Sequence, residues 1–387
     1  MRLEGNWSIP TSVRFGAGRI AELGEAVKSA GMAKPLLVTD AHLAGTSLID
    51  RARETLASAG VAVAVFADVK ANPVAANIEA GLAVLRTGRH DGIVACGGGS
   101  ALDAGKVIAF MAGQRRSLWE FEDVADWWTR ADPSGILPIV AVPTTAGTGS
   151  EVGRAGVVTD ATLHAKKVIF HPRMMPRIAI CDPELTIGMP PFVTAGTGMD
   201  ALAHCLEAYC GPNYHPLADG IALEGIRLVK ENLARAYCSG VDLEARAHMM
   251  AAAAMGASAF QKGLGAVHAL SHPIGALYDT HHGMTNAVLL PYVLTFNRPA
   301  IERRIARLAA YLGLQATFAA FLAWVLELRR ELGVPHTLRE FGIGDERLEA
   351  MSAMAPKDPT AARNPVPIDA AVCRQLYRNA LTGELGH

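Results

Sequence analysis

What this chain lacks narrows its function before any motif is read. It has no surplus of positive charge: 36 Lys and Arg stand against 37 Asp and Glu, for a net charge of −1. No basic excess is left to neutralise phosphates, which argues against nucleic acid and against an anionic membrane surface as partners. It has no long apolar run. The longest, residues 248–260, is mostly alanine and falls short of the roughly 20 residues that a membrane span needs. Residues 1–10 lack the uninterrupted apolar core of a secretion signal, so the expected compartment is the cytoplasm. The six cysteines (96, 181, 205, 210, 238 and 373) form no C-x-x-C pair. Free thiols in a reducing compartment fit better than a disulfide framework. No internal repeat or low-complexity tract is visible.

What remains is a core-rich chain. Half of the 387 residues are hydrophobic and mean hydropathy is +0.21, which excludes disorder as the main state. The length allows two or three domains. In the first half, short apolar runs at 34–40, 61–66, 91–96 and 135–142 alternate with helical patterns at 48–60, 77–86 and 100–111. That alternation implies a mainly parallel sheet covered on both faces. After about residue 185 the pattern turns helical, at 193–209, 217–237, 243–260 and 301–312, with Gly211-Pro212 as a helix stop. The expected organisation is an α/β, Rossmann-like domain over 1–186 and an all-helical domain over 187–387. Asp182-Pro183-Glu184 is the candidate hinge. Residues 354–368 read as a proline-punctuated loop.

Gly97-Gly98-Gly99-Ser100 follows a buried strand and opens a helix. Glycines let the backbone approach an anion closely, and a pyrophosphate gains from free N–H groups at a helix N-terminus. Ser100 with Asp103 has capping-box spacing. A ligand-free tight turn is an equally good reading of this segment alone. The G-x-G-x-x-G fingerprint places its ribose-binding acid about 20 residues after the glycines. Here the candidate acid is Asp40, well before them, at the end of the first strand. A carboxylate there would accept from a ribose diol and repel a 2′-phosphate, favouring NAD over NADP; as a lone acid it reads equally as a helix cap. A second loop, Pro143 to Val152, is rich in small hydroxyl residues and also follows a strand.

Asp200 and His204 share one helical face, as do His268 and His272, and His281 and His282 follow closely. A single histidine of this kind is usually a satisfied core or surface residue. Burying several titratable groups together is costly unless a cation takes their lone pairs. One carboxylate with three imidazoles suits Fe(II), Zn(II) or Ni(II) better than magnesium or calcium.

With these motifs on the page, nearly the whole chain resembles the iron-containing (group III) alcohol dehydrogenases, whose fold is related to that of the dehydroquinate synthases. The resemblance rests on Phe15-Gly-Ala-Gly18, Val38-Thr-Asp40, Gly97-Gly-Gly-Ser100 with Asp103 and Lys106, and Pro143 through Glu151. It continues through Lys166, Gly198-Met-Asp-Ala-Leu-Ala-His204, Gly263 through Pro273, His282-Gly283 and Leu290-Pro291. It implies a metal bound by Asp200, His204, His268 and His282, with His272 as an additional active-site histidine. It implies NAD on Gly97, Gly98, Gly99, Ser100 and Asp103, with Thr144, Thr145, Thr148 and Ser150 lining the cofactor cleft, Lys166 near the ribose and Asp40 disfavouring NADP. The implied activity is metal-dependent, reversible hydride transfer between NAD(H) and a small primary alcohol/aldehyde pair, by a homodimer or higher homo-oligomer. Fe(II) is the expected ion, replaceable by Zn(II) or Ni(II). Two other readings are a dehydroquinate-synthase-like lyase using NAD and metal, and a non-catalytic nucleotide-binding protein. Where many relatives carry a bulkier residue, this chain has Gly153, which suggests a roomier substrate pocket.

Overall fold

The computed structural model describes residues 11–163 and 165–386; the N-terminal segment read above for a leader core lies outside them. The chain divides into two compact units. Of the described residues, one comprises 11–145 together with Gly149–Gly188, and the other Ala146–Thr148 together with the chain from Met189.

The first unit is α/β. Its strands are β1 (Ser12–Phe15), β2 (Leu36–Val38), β3 (Ala64–Phe66), β4 (Ile93–Gly97), β5 (Ile139–Pro143), β6 (Ala155–Asp160), β7 (Ala165–Phe170) and β8 (Ile178–Cys181). Its helices are α1 (Leu23–Ser29), α2 (Ala41–Ala44), α3 (Ser47–Ser58), α4 (Ala75–Gly88) and α5 (Gly99–Met111). Six strands form one parallel sheet in the order β1-β8-β5-β4-β2-β3, while β6 and β7 make a separate antiparallel pair. Alternate residues of the parallel strands serve two cores. Leu36, Val38, Ile93, Ala95, Ile139 and Ala141 pack with α4 and α5 on one face. Leu37, Val94, Cys96, Val140, Val142 and Ile180 pack with α1 and α3 on the other. Such two-sided burial is why these strands read as unbroken apolar runs.

Strand order reverses between β2 and β4: from β2 the chain steps outward to β3, then returns to β4 on the other side. In doubly wound sheets that reversal opens a crevice beyond the strand ends, where ligands bind. Asp40 lies just beyond β2, the glycines end β4 and open α5, and Thr144 and Thr145 follow β5.

Two sequence expectations are corrected here. Ser100 does not cap α5. The cap position is Gly98, and the Ser100 hydroxyl donates to the carbonyl of Ala71. Gly97 turns the chain at φ +148°, so the helix starts earlier than the serine. Asp182 is an anchor, not a hinge. It is fully buried and accepts from the N–H groups of Gly18, Ile20 and Glu184 at 3.0–3.1 Å. The α/β unit ends at Gly188.

The second unit is helical: α6 (Pro191–Cys210), α7 (Pro216–Cys238), α8 (Leu243–Ala259), α9 (Ala266–Tyr278), α10 (His282–Tyr311), α11 (Phe318–Glu331), α12 (Leu348–Met354) and α13 (Ala370–Thr382). Helix α10 runs for 30 residues through Pro291 and Pro299, where the sequence marked only its last part. Among the described residues, no helix is long and apolar enough to cross a membrane.

Candidate metal centre and nucleotide crevice

Three helices of the second unit bring four side chains to one point. Asp200 and His204 sit one turn apart on α6, His268 lies in the first turn of α9, and His282 opens α10. Asp200 Oδ1 is 3.7 Å from His204 Nε2, 3.8 Å from His268 Nε2 and 3.7 Å from His282 Nε2. Ligands about 2.1 Å from a tetrahedral ion stand roughly 3.4 Å apart, so this cage is formed and slightly open. Glycine permits the approach. A Cβ on Gly283 would lie 2.3 Å from the Gly196 carbonyl, so any side chain there pushes the start of α10, and His282 with it, away from α6. Likewise, a Cβ on Gly256 of α8 would come within 3.0 Å of His204 Cβ.

Buried imidazoles suit a cation. Burial is the main cause that pushes His204 down to about 4, which leaves it neutral and able to offer a lone pair. Asp200, His204 and His268 are all buried, and their ligand atoms lie within 4.8 Å of one another. His204 Nδ1 is a buried atom with no hydrogen-bond partner, as is Asn286 Oδ1. A nitrogen-rich donor set with one carboxylate and no thiolate fits a borderline divalent ion such as Fe(II) or Zn(II).

His281 stands apart from this set. Its Nδ1 accepts from Met284 N–H as the cap of α10, and its ring meets Phe192. His272 stacks on His282 with ring centroids 5.4 Å apart. Its Nδ1 is 2.6 Å from Asp358 Oδ2. Burial alone would raise the Asp358 carboxyl, but His272 and the Thr360 hydroxyl and N–H outweigh it and lower it to about 2. As a carboxylate Asp358 only accepts, so His272 Nδ1 carries the proton and Nε2 is left as the acceptor.

Sequence reasoning missed three residues around the cage: Glu207, Asn286 and Asp358. Glu207 follows Asp200 and His204 on one helical stripe, and Asn286 is one turn after His282, so helical spacing held a signal for both. Asp358 falls in the proline-punctuated loop, far along the chain from His272, where spacing says nothing.

In the α/β unit the crevice residues separate into two groups. Asp40 Oδ1 caps α2, accepting from His42 and Leu43 N–H at 3.0 Å, so the helix-cap reading of this acid holds. Its other oxygen lies beside Gly97, where a Cβ would approach it to 3.7 Å and would clash with Ala101 Cβ at 2.7 Å. Only glycine suits that φ and that space. No side chain caps Gly98 among the described residues, so the first N–H groups of α5 have no intrahelical partner. Thr144 N–H donates to the Gly97 carbonyl, and a Cβ on Gly98 would stand 3.4 Å from Thr145, so the two loops lie side by side. Thr148 is half-buried, as is Lys166, which lies on β7.

Asp103 and Ser150 face inward. The Ser150 hydroxyl donates to Asp103 Oδ1 at 2.5 Å, and Val157 N–H donates to Oδ2 at 2.9 Å. Lys106 Nζ stands 3.3 Å from the same carboxylate and donates to the carbonyls of Ser150, at 3.0 Å, and Ala155. The Cβ that Gly153 lacks would sit 3.6 Å from Lys106 Nζ. That distance is an ordinary contact, so the absent Cβ leaves a small space beside the buried ammonium of Lys106.

A doubly wound sheet with an open, glycine-turned helix start, and a helical unit that brings a carboxylate to three imidazoles, suit an enzyme that uses a nucleotide and a divalent metal. The sequence profile of the iron-containing alcohol dehydrogenases matches residues 10–183, and that of the Fe-containing alcohol dehydrogenase C-terminal family matches residues 194–381. The chain is 38% identical over 381 residues to a 4-hydroxybutyrate dehydrogenase of Cupriavidus necator, covering 96% of this chain and 98% of that one. It is 34% identical over 384 residues to an NAD-dependent methanol dehydrogenase of Bacillus methanolicus, covering 97% and 100%. The crystal structure of a 1,3-propanediol oxidoreductase superposes with a TM-score of 0.92 at 38% identity, covering 97% of this chain and 99% of that one. This chain therefore belongs to the iron-containing alcohol dehydrogenase family.

Proposed function

We propose that the protein transfers hydride reversibly between NAD(H) and a small primary alcohol/aldehyde pair, with Fe(II) held by Asp200, His204, His268 and His282. The observation that carries this reading is one carboxylate oxygen within 3.8 Å of three imidazole nitrogens, with Asp200, His204 and His268 buried and His282 partly exposed at their edge. The names of its relatives support it, since they act on methanol, 1,3-propanediol and 4-hydroxybutyrate. Small hydroxyl compounds are the class they share.

A divalent ion at this cage supplies Lewis-acid stabilisation of the developing alkoxide, and the nicotinamide supplies the hydride acceptor. The chain's own residues do the rest. Asp200 offsets one positive charge, and neutral His204 offers its Nε2 lone pair. His272 takes the hydroxyl proton at Nε2 during oxidation and returns it during reduction, held in that tautomer by Asp358. Gly97, Gly98, Gly99 and Ser100 bind the cofactor pyrophosphate through backbone N–H groups at the start of α5. The free oxygen of Asp40 accepts from the ribose hydroxyls and repels a 2′-phosphate. Thr144, Thr145, Thr148 and Lys166 line the cofactor, while Asp103 and Ser150 brace helix α5 against the second loop. The enzyme is assigned to the cytoplasm, on its unpaired set of cysteines, and to a homodimer or higher oligomer, on its family.

The test is metal content of anaerobically purified protein, paired with an NADH-oxidation screen over small aldehydes before and after chelation. About one ion per chain, and activity that chelation removes and Fe(II) or Zn(II) restores, is the expected result. Undiminished activity without metal refutes the reading.

A further inference from the structure

Glu207 touches none of the space where an ion would sit, yet it holds one of the four ligands by its far side. The residue is on α6, buried at 8% exposure, and His268 is buried at 1%. Its two carboxylate oxygens have separate tasks. Oε1 accepts the N–H of Val267 at 2.7 Å, in the first turn of α9, whose own cap residue, Gly265, has no side chain to offer. Oε2 lies 2.5 Å from His268 Nδ1. A carboxylate accepts and does not donate, so Nδ1 carries the ring proton and Nε2 is left with its lone pair.

The other end of the ring faces Asn286. Asn286 Nδ2 is 2.8 Å from Asp200 Oδ1, and a carboxylate oxygen there fixes the amide with its N–H side toward the cage. The same Nδ2 lies 3.2 Å from His268 Nε2 and 3.2 Å from His282 Nε2. The amide has two hydrogens for these three acceptors, and one directed at His268 meets Nε2 as an acceptor. Glu207 therefore sets the tautomer of His268 that can bind a cation, and Asn286 is compatible with it.

We infer that Glu207 is a positioning residue of the metal centre, selecting the tautomer of His268 that ligates metal while capping the helix that carries it. Each of its oxygens already has a protein partner. The inference rests on the metal reading of Asp200, His204, His268 and His282 given above. Outer carboxylates of this kind orient a ligating histidine and raise its basicity, and their loss typically costs about 10–100-fold in metal affinity.

Glutamine at this position makes a sharp test because it keeps the shape. Val267 N–H still needs an acceptor, so the amide oxygen takes the place of Oε1. The amide NH2 then faces His268 Nδ1, which has to accept. The ring proton moves to Nε2, and the ligand is lost without loss of the helix cap. Dissociation constants for Zn(II), and for Fe(II) under anaerobic conditions, are measured by chelator competition on the wild type, Glu207→Gln and Asn364→Ala. Asn364 Oδ1 accepts the neighbouring Ala266 N–H at 3.0 Å, and its amide also pairs with Asn297 and donates to the Val366 carbonyl; it touches neither ring nitrogen, so its loss removes support from the start of α9 without acting on the tautomer.

The expected result is binding at least about tenfold weaker in Glu207→Gln, with a wild-type circular dichroism spectrum, and near-wild-type affinity in Asn364→Ala. Equal affinity in Glu207→Gln and wild type overturns the inference, and so does equal weakening in both variants, which would make capping the whole effect. A wild-type protein that binds neither ion overturns the metal reading itself. If Glu207→Gln does not fold, the 15N spectrum of histidine-labelled, metal-free wild type decides, with His268→Asn used for assignment. At a pH where the ring is neutral, a proton on Nδ1 of His268 supports the inference, and a proton on Nε2 overturns it.

Discussion

Replacing Glu151 with glutamine should stabilise the α/β unit at alkaline pH and leave it unchanged in acid. Glu151 follows the second loop, is 2% exposed, and is raised by burial from the ordinary 4.5 to about 7, against the pull of Lys106. Lys106 is lowered from its own ordinary value, also by burial, although Asp103 and Glu151 act to raise it. Unfolding returns Glu151 to 4.5. Between 4.5 and about 7 the folded chain therefore binds more protons than the unfolded chain, and raising the pH through that window removes stability. At about 1.4 kcal/mol per pH unit the full loss is roughly 3 kcal/mol, complete above pH 7. Glutamine cannot deprotonate, so the variant escapes this loss. For a cooperative unit of this size about 2–4 °C accompany each kcal/mol, so its Tm at pH 8 should exceed that of the wild type by roughly 6–12 °C. The two should converge near pH 5. Calorimetry of both proteins from pH 5 to 8.5, without added metal, reads the difference directly. Parallel Tm curves would refute the reasoning, because they would mean that no proton is taken up at Glu151 on folding.

Adding Zn(II) at about 1,000 times its dissociation constant should stabilise the helical unit by roughly 4 kcal/mol, and His268→Ala should abolish that increment. Thermal scans with and without metal check both. His272→Ala should lower kcat by about 100-fold or more while metal content stays near the wild-type level, as measured by elemental analysis beside turnover. Asp40→Ala removes the cap of α2, at a cost of about 1 kcal/mol, and should narrow the preference for NAD over NADP in kcat/KM. An unchanged cofactor ratio would confine Asp40 to capping. Gly97→Ala places a Cβ 2.7 Å from Ala101 Cβ at a φ that alanine rarely adopts, so KM for the cofactor should rise much more than KM for the aldehyde.

How much of this was legible in the sequence depended on whether the signal was local. Strands β2 to β5 were readable because both their faces are buried, which makes them continuous apolar runs. Strand β1 was not read, since three of its four residues are exposed and its pattern matches no buried strand. Strand β8 has only four residues. Only the last part of α10 was read, at 301–312, and the helix in fact runs through Pro291 and Pro299. Serine misled at Ser100, where the backbone turn at Gly97 takes precedence over the capping preference of the side chain. Of the cage, Asp200, His204 and His268 followed from helical spacing and the resemblance. Spacing could not separate His281 from His282; one caps α10 and the other points from its first turn into the cage. The Asp103–Ser150 bond was invisible because it joins helix α5 to a residue far along the chain, and the same is true of Asp358 with His272 on α9.

The cage has a further consequence for how the chain holds together. The four side chains that would hold an ion come from α6, α9 and α10, three helices with no disulfide among them, since the six cysteines are all free. An ion bound there acts as a reversible cross-link over residues 200 to 282, shrinking the conformational freedom of the unfolded chain as a disulfide would. A cell in which the ion is scarce would then accumulate a chain more open to proteases, so metal supply would set how long the enzyme survives as well as how fast it turns over.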